Sequence, residues 1–313
     1  MEFLLYGADT GTATLYAIEP RGDKDAPPSV VRDHLDLGRR WTHIVSGWFT
    51  DDRMSSLLCY NANNGSAAFV QAGTGGSVTT VRETDTWRRG WTHILPVYLG
   101  KRTLDGIIFY NASSGTAQIY STDGQGYISR LYDYTWRKGW SHILAGEFDY
   151  GVAGSVSDLF FYGSASGAGQ AYSIDGEGAI RKVRDHSLEP GWTHLVRGQL
   201  GAAAGHRMLF YDSRAGRGRS CGITSGSGTL DTIATHGDMR HGWTHVLPVP
   251  SAWAENLLFY DAADGGGSLF RATSRGELTR SSEDFRLPRN GTILAAGHFQ
   301  GPGAAEVRRG GAG

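Results

Sequence analysis

Glu147, His298 and Tyr98 stand at one place in a pattern that recurs along the chain, just before the Phe or Leu that ends a short apolar strand. A carboxylate, an imidazole and a phenol converging on one pocket can take and return protons, the working set of general acid–base catalysis. The other copies put Trp48, Gln199 and Pro250 at that place, and Arg197 lies two residues ahead of Gln199. The reading is that Glu147, His298 and Tyr98 are catalytic, and that Trp48, Gln199 and Arg197 hold the substrate. A second group lies in "TWRRGW" and "TWRKGW", where Trp87 precedes Arg88 and Arg89, and Trp136 precedes Arg137 and Lys138. Indole faces beside guanidinium groups stack on anionic or aromatic ligands, so Trp87 and Trp136 join the substrate-binding candidates.

The elements that must position these residues repeat. Six apolar runs end in Tyr: "FLLYGADTG" (Tyr6), "LLCYNANNG" (Tyr60), "IIFYNASSG" (Tyr110), "LFFYGSASG" (Tyr162), "MLFYDSRAG" (Tyr211) and "LLFYDAADG" (Tyr260). Each is too short for a helix and is bounded by Asp, Asn or Gly, so it reads as a buried strand closed by a turn. A second strand follows ("TAQIYSTDG"), then an Asp-Gly hairpin ("DGQG", "DGEG"), a polar-faced strand ("YISRLYDYT") and a fourth strand ("WSHILAGEF"). Six units of four strands without helical periodicity predict an all-β six-bladed β-propeller with four antiparallel strands per blade. The chain opens inside the second strand of a unit and supplies "GTILAAGHF" (291–299) last. The C-terminal inner strand should therefore join the N-terminal blade and close the ring. Residues 1–300 read as a single domain of six repeats, and 301–313, which lack the apolar run of a further unit, as a disordered tail.

Within each unit Trp41, Trp91, Trp140, Trp192 and Trp243 recur, as do His43, His93, His142, His194 and His245. Residues that every blade keeps are those every blade needs, so both sets read as pins between blades. The sixth copy, Gly291-Thr292-Ile293, has neither.

Composition narrows the partners. The chain has 313 residues, 30 basic and 31 acidic side chains and a formal net charge of −1, so no net field draws it to nucleic acid or an anionic membrane. Its 46 glycines among 11% aromatics suit many tight turns around a real core. No run approaches the ~18 apolar residues of a membrane span. The opening "MEFLLYGADTG" has no leader pattern, which gives a cytoplasmic expectation. Cys59 and Cys221 lie in apolar runs and read as small core residues in a reducing compartment.

The pattern "LLFYD…G…YSTDGQG…GWTHIL.GEF" resembles the FG-GAP or VCBS-type repeats of bacterial β-propellers along essentially the whole chain. That resemblance implies likeness to lectin-like propellers and to the propeller part of natural-product enzymes that alkylate aromatic rings. It also implies a calcium loop, Asp-x-Asp-Gly-x-x-Asp, after the inner strand. The corresponding segments here depart from it, leaving Asp149 with Asp158, and Asp51 with Asp52, as partial ligand sets; a hard cation wants six or more oxygens. Neither a metal nor another cofactor is expected.

The function expected is a small-molecule-binding propeller with one asymmetric pocket at the channel mouth, acting as a cofactor-free enzyme of specialised metabolism by cyclisation, ring alkylation or elimination. The alternatives are a lectin-like carbohydrate binder with several sites, and a protein-interaction scaffold. The partner is a small molecule or carbohydrate, and the chain a monomer or weak dimer.

Overall fold

In the computed structural model the six units form six antiparallel four-stranded blades, and the last carries one extra two-residue strand. The structure describes residues 2–21, 24–38, 40–100, 103–152, 155–200, 207–224, 226–249, 256–289 and 291–299; Pro250 and the 301–313 segment lie outside them. Blade 1 is assembled from both ends of the chain, in the order Ile293–Gly297, Glu2–Gly7, Thr12–Ala17, Ser29–Asp36. Its inner strand pairs Glu2 with Gly297 and Tyr6 with Ile293, so the ring closes between chain ends. Blades 2 to 6 begin with the inner strands His43–Gly47, His93–Val97, His142–Gly146, His194–Gly198 and His245–Val249. Each of these lies beside the next and the last beside Ile293–Gly297, which completes a ring around the central axis. Among the described residues no helix is long and apolar enough to cross a membrane.

The core lies between blades because each sheet has two apolar faces and neither is covered by its own blade. One cluster brings Phe49, Tyr60 and Phe69 of blade 2 against Trp91, Ile107 and Phe109 of blade 3. Cys59 and Cys221 are buried free thiols, pushed up to about 12 and about 11 by burial. The tyrosine ending each second strand adds a directed contact to this packing. The Tyr60 hydroxyl donates to the Arg88 carbonyl (2.7 Å) and accepts from the Trp91 amide (3.4 Å), fixing the loop into the next blade. Tyr110 does the same with Arg137 and Trp140, and Tyr162 with Glu189 and Trp192. The turn after this tyrosine needs its glycine: Gly115 has φ +78°, and a Cβ there would sit 2.3 Å from the Trp136 carbonyl oxygen.

The long third-to-outer connection of blade 1, beginning at Glu19, packs on blade 6. The Asp25 amide donates to the Ser281 carbonyl (2.7 Å), and the buried Asp25 carboxylate pairs with Arg271. The seam that joins the chain ends therefore carries a second fastening.

Candidate functional site

The two ends of the inner-strand ring are built on opposite plans. At the end where these strands begin, the same contacts recur from blade to blade. Nε2 of His43, His93, His142, His194 and His245 lies 3.0–3.2 Å from the carbonyls of Thr92, Ser141, Thr193, Thr244 and Thr292, each on the next blade. A carbonyl only accepts, so Nε2 carries the proton and Nδ1 accepts from the preceding Thr or Ser hydroxyl, at 2.8–2.9 Å. Both nitrogens are committed in the neutral form. Burial lowers all five pKa values, that of His142 to about 4. Arg88, Arg137 and Arg240 lie over Trp91, Trp140 and Trp243 at 4.4–5.2 Å from the ring centroids.

Trp87 and Trp136 belong to this end and to its packing. Trp87 meets Phe69 and Phe109 edge-on, and Trp136 meets Phe161 edge-on at 4.7 Å with only 8% of its surface exposed. The sequence placed them as ligand platforms; Trp136 offers a ligand almost no open face.

At the opposite end the six copies diverge. The inner strands finish in Gly-x-Phe or a relative of it, and the glycine is required by the aromatic: a Cβ on Gly47 would lie 2.6 Å from the Phe49 ring. Phe49, Leu99, Phe148, Leu200 and Phe299 turn inward and are buried, while the intervening residue stands at the mouth. Trp48 and His298, on adjacent blades, stack with centroids 6.0 Å apart and planes 14° from parallel. The His298 backbone is held by Ser55, which accepts from its amide and donates to its carbonyl, whereas neither ring nitrogen has a hydrogen-bond partner among the described residues. Burial lowers the His298 pKa, against an upward pull from Glu2, so the ring is neutral at pH 7.

Tyr98 is half-buried and its hydroxyl donates to the Gly100 carbonyl (2.7 Å). Glu147 and Gln199 are exposed, and Arg197 is half-buried on the inner strand of blade 5. Glu147 on blade 4 and His298 on blade 1 are three blades apart and so stand across the axis from each other; the structure brings His298 together with Trp48, not with Glu147. Asp158 caps a loop: its carboxylate accepts from the Phe148 amide (3.0 Å) and from Ser155 Oγ (3.0 Å), and burial raises its pKa. Asp149 is exposed, with φ +52°. Among the described residues no group of three His, Cys, Asp or Glu side chains is placed to hold a metal ion.

One set of mouth residues, Asp158 apart, escaped the sequence reading. The residue paired with the end of each inner strand is Glu2, Ser56, Gly106, Asp158, Arg207 or Asn256. Several of these hold the mouth loops: Glu2 accepts from the Phe299 amide, Ser56 from the Phe49 amide, and Arg207 donates to the Leu200 carbonyl. The signal was a residue near the start of an otherwise apolar strand that changes in every copy and is polar in all but Gly106.

No family model matches the chain, and no curated protein matches it in sequence. Solved structures do match its fold. A proposed 6-phosphogluconolactonase from Bacteroides fragilis superposes with TM-score 0.60 at 8% identity, covering 94% of this chain and 96% of that one. The Aleuria aurantia lectin, a six-bladed β-propeller that recognises fucose, gives 0.57 at 11% identity, covering 91% and 89%. The periplasmic gluconolactonase PpgL of Pseudomonas aeruginosa gives 0.52 at 13%, covering 90% and 79%. At these identities the likeness establishes the six-bladed propeller fold and leaves function to the site itself.

Proposed function

We propose that this chain binds one small molecule at the divergent mouth and acts on it as a cofactor-independent acid–base catalyst, on a cyclic or aromatic substrate of specialised metabolism. The carrying observation is His298: a neutral imidazole, stacked on Trp48, with both nitrogens unbonded among the described residues, in a protein whose blade-repeated imidazoles are bonded at both. A base needs a lone pair within reach of its proton, and of these histidines His298 keeps one. His298 takes the proton from a substrate lying on the Trp48 face, the electron pair left behind forms the new bond or expels the leaving group, and the imidazolium returns the proton. Glu147, across the axis, faces the far end of a substrate that spans the mouth, with Tyr98, Gln199 and Arg197 around the rim. Saturation-transfer NMR with a set of planar aromatic and cyclic fragments tests this: hits lost in Trp48→Ala support the site, and an identical hit list in the variant refutes it.

The second reading is a lectin-like binder of the FG-GAP or VCBS kind with several sites, favoured by the Arg–Trp pairs recurring around the other end. A lectin and two proteins named for gluconolactone hydrolysis among the similar folds make sugars and sugar lactones the ligands to try first.

A further inference from the structure

The end that repeats most regularly breaks its own rule between blades 4 and 5. Two residues after the tyrosine, the turns carry Ala8, Ala62, Ala112 and Ala262 in four blades, but Ser164 in blade 4 and Ser213 in blade 5. One position later they read Asp9, Asn63, Ser113, Ala165, Arg214 and Ala263, so Arg214 is the one cation at its place. In the loop that enters blade 5, Glu189 stands where Arg88, Arg137 and Arg240 stand in three other loops; Arg217 and Arg219 pair with its carboxylate and cover Trp192 in their stead. These departures flank a cleft of about 490 Å3 lined by Ser164, Ala165, Trp192, Thr193, Ser213 and Arg214, with His142 and Gly191. That volume lies in the ~300–1,000 Å3 range of small-molecule sites.

The donors suit a particular chemistry. Arg214 is 74% exposed at its side chain, gives one N–H to the Gly191 carbonyl (3.1 Å) and lies 3.7 Å from Asp212, which leaves most of its planar fork open. Ser213 Oγ lies 3.2 Å from Thr193 Oγ1, whose one hydrogen goes to His194 Nδ1, so the Ser213 hydroxyl can turn its own hydrogen to Thr193 or to a ligand, while Ser164 Oγ has no hydrogen-bond partner among the described residues. Both His142 nitrogens are already bonded, so that ring is wall and not donor. One guanidinium, two hydroxyls and a methyl from Ala165 match a ring bearing hydroxyls and one carboxylate, whose single charge one cation balances; the Trp192 indole, 2% exposed beneath Arg217 and Arg219, is wall and offers no open face.

We propose that the blade 4–blade 5 cleft binds a sugar acid of the uronate type, with Arg214 forked onto the carboxylate and Ser164 and Ser213 bonded to ring hydroxyls. This site lies at the other end of the ring from His298 and does not rest on the catalytic reading. Isothermal titration with D-glucuronate tests it on the wild type, Arg214→Ala, Ser164→Ala/Ser213→Ala and Trp48→Ala. The serine variant restores the residue that four copies already carry, and Arg214 is on the surface, so both variants keep the fold. Saturable millimolar or tighter binding is expected, weakened about tenfold by removing Arg214, less by removing the hydroxyls, and about tenfold weaker again for neutral D-glucose on the wild type. Absence of binding to the wild type, full affinity in both cleft variants, loss of binding in Trp48→Ala, or tighter binding of inorganic phosphate than of glucuronate would each overturn the proposal.

Discussion

His142 and His298 flank opposite ends of the inner-strand ring and show what a repeat does to chemistry. His142 gives a proton to the next blade, takes one from Ser141, and is held neutral with a pKa of about 4. His298 has the same side chain and the same downward push from burial, but no described residue bonds its nitrogens and its neighbour is an indole face. A contact made by every blade fixes residue type in every blade, so the regular end is committed to holding the ring together. A position outside that task is released to differ, and only there can a single blade carry chemistry of its own.

The contrast can be broken where it is strongest. Trp140 is 2% exposed and packs on Phe161 between blades 3 and 4. Trp140→Ala should cost about 3–5 kcal/mol in denaturant unfolding; a loss below about 1 kcal/mol would show that the regular end does not hold the blades. Acid sharpens the same point. Imidazoles with lowered folded pKa values bind protons more readily when unfolded, so their stabilisation is present above the ordinary value of 6.5 and drains away as pH falls toward the folded values. His142 alone contributes on the order of 3 kcal/mol across pH 6.5 to 4. The melting temperature should drop steeply over that interval, and His142→Gln should start lower yet fall less; parallel curves would exclude the imidazole pins as the cause.

At the other end the expected signs reverse. His298→Ala and Glu147→Gln should move stability by less than about 1 kcal/mol while abolishing turnover of any substrate found at the mouth. Full activity in both would remove the acid–base reading. The smallest effect is expected where the regular end has its gap. Ile293 occupies the place of the missing sixth histidine, and Ile293→His should recreate the bond to the next blade for a net change within about 1 kcal/mol, together with a steeper acid transition. A flat acid response would mean the repeat geometry does not extend across the closing seam.

The fold was legible because its signals are local and periodic: apolar runs ending in Tyr, Asp-Gly turns and the Gly-Trp-Thr-His copies predict every blade and the closure of Ile293–Gly297 onto Glu2–Gly7. The site was legible only as a position. Strand counting placed Trp48 and His298 at one mouth, but their stacking depends on how two blades approach, which no single repeat encodes. Trp87 and Trp136 looked available because their neighbours are charged; the adjacent blade brings Phe109 and Phe161 against them, a contact from the following unit. The Asp25–Arg271 fastening was hidden for the same reason, since its partners are 246 residues apart. The serine and arginine exceptions at the blade 4–blade 5 cleft were visible in the sequence and pass as ordinary turn residues until the cleft shows them facing one space.

The closure of blade 1 has a consequence in time. Glu2–Gly7, mostly apolar, gains its inner neighbour only when Ile293–Gly297 has been made. On a ribosome adding roughly 5–20 residues per second, that edge stays open for on the order of 15–60 s. For that interval the nascent chain presents an unpaired strand of the kind that recruits other strands, so the yield of active protein should depend on translation speed and on chaperone supply more than the stability of the finished ring would suggest.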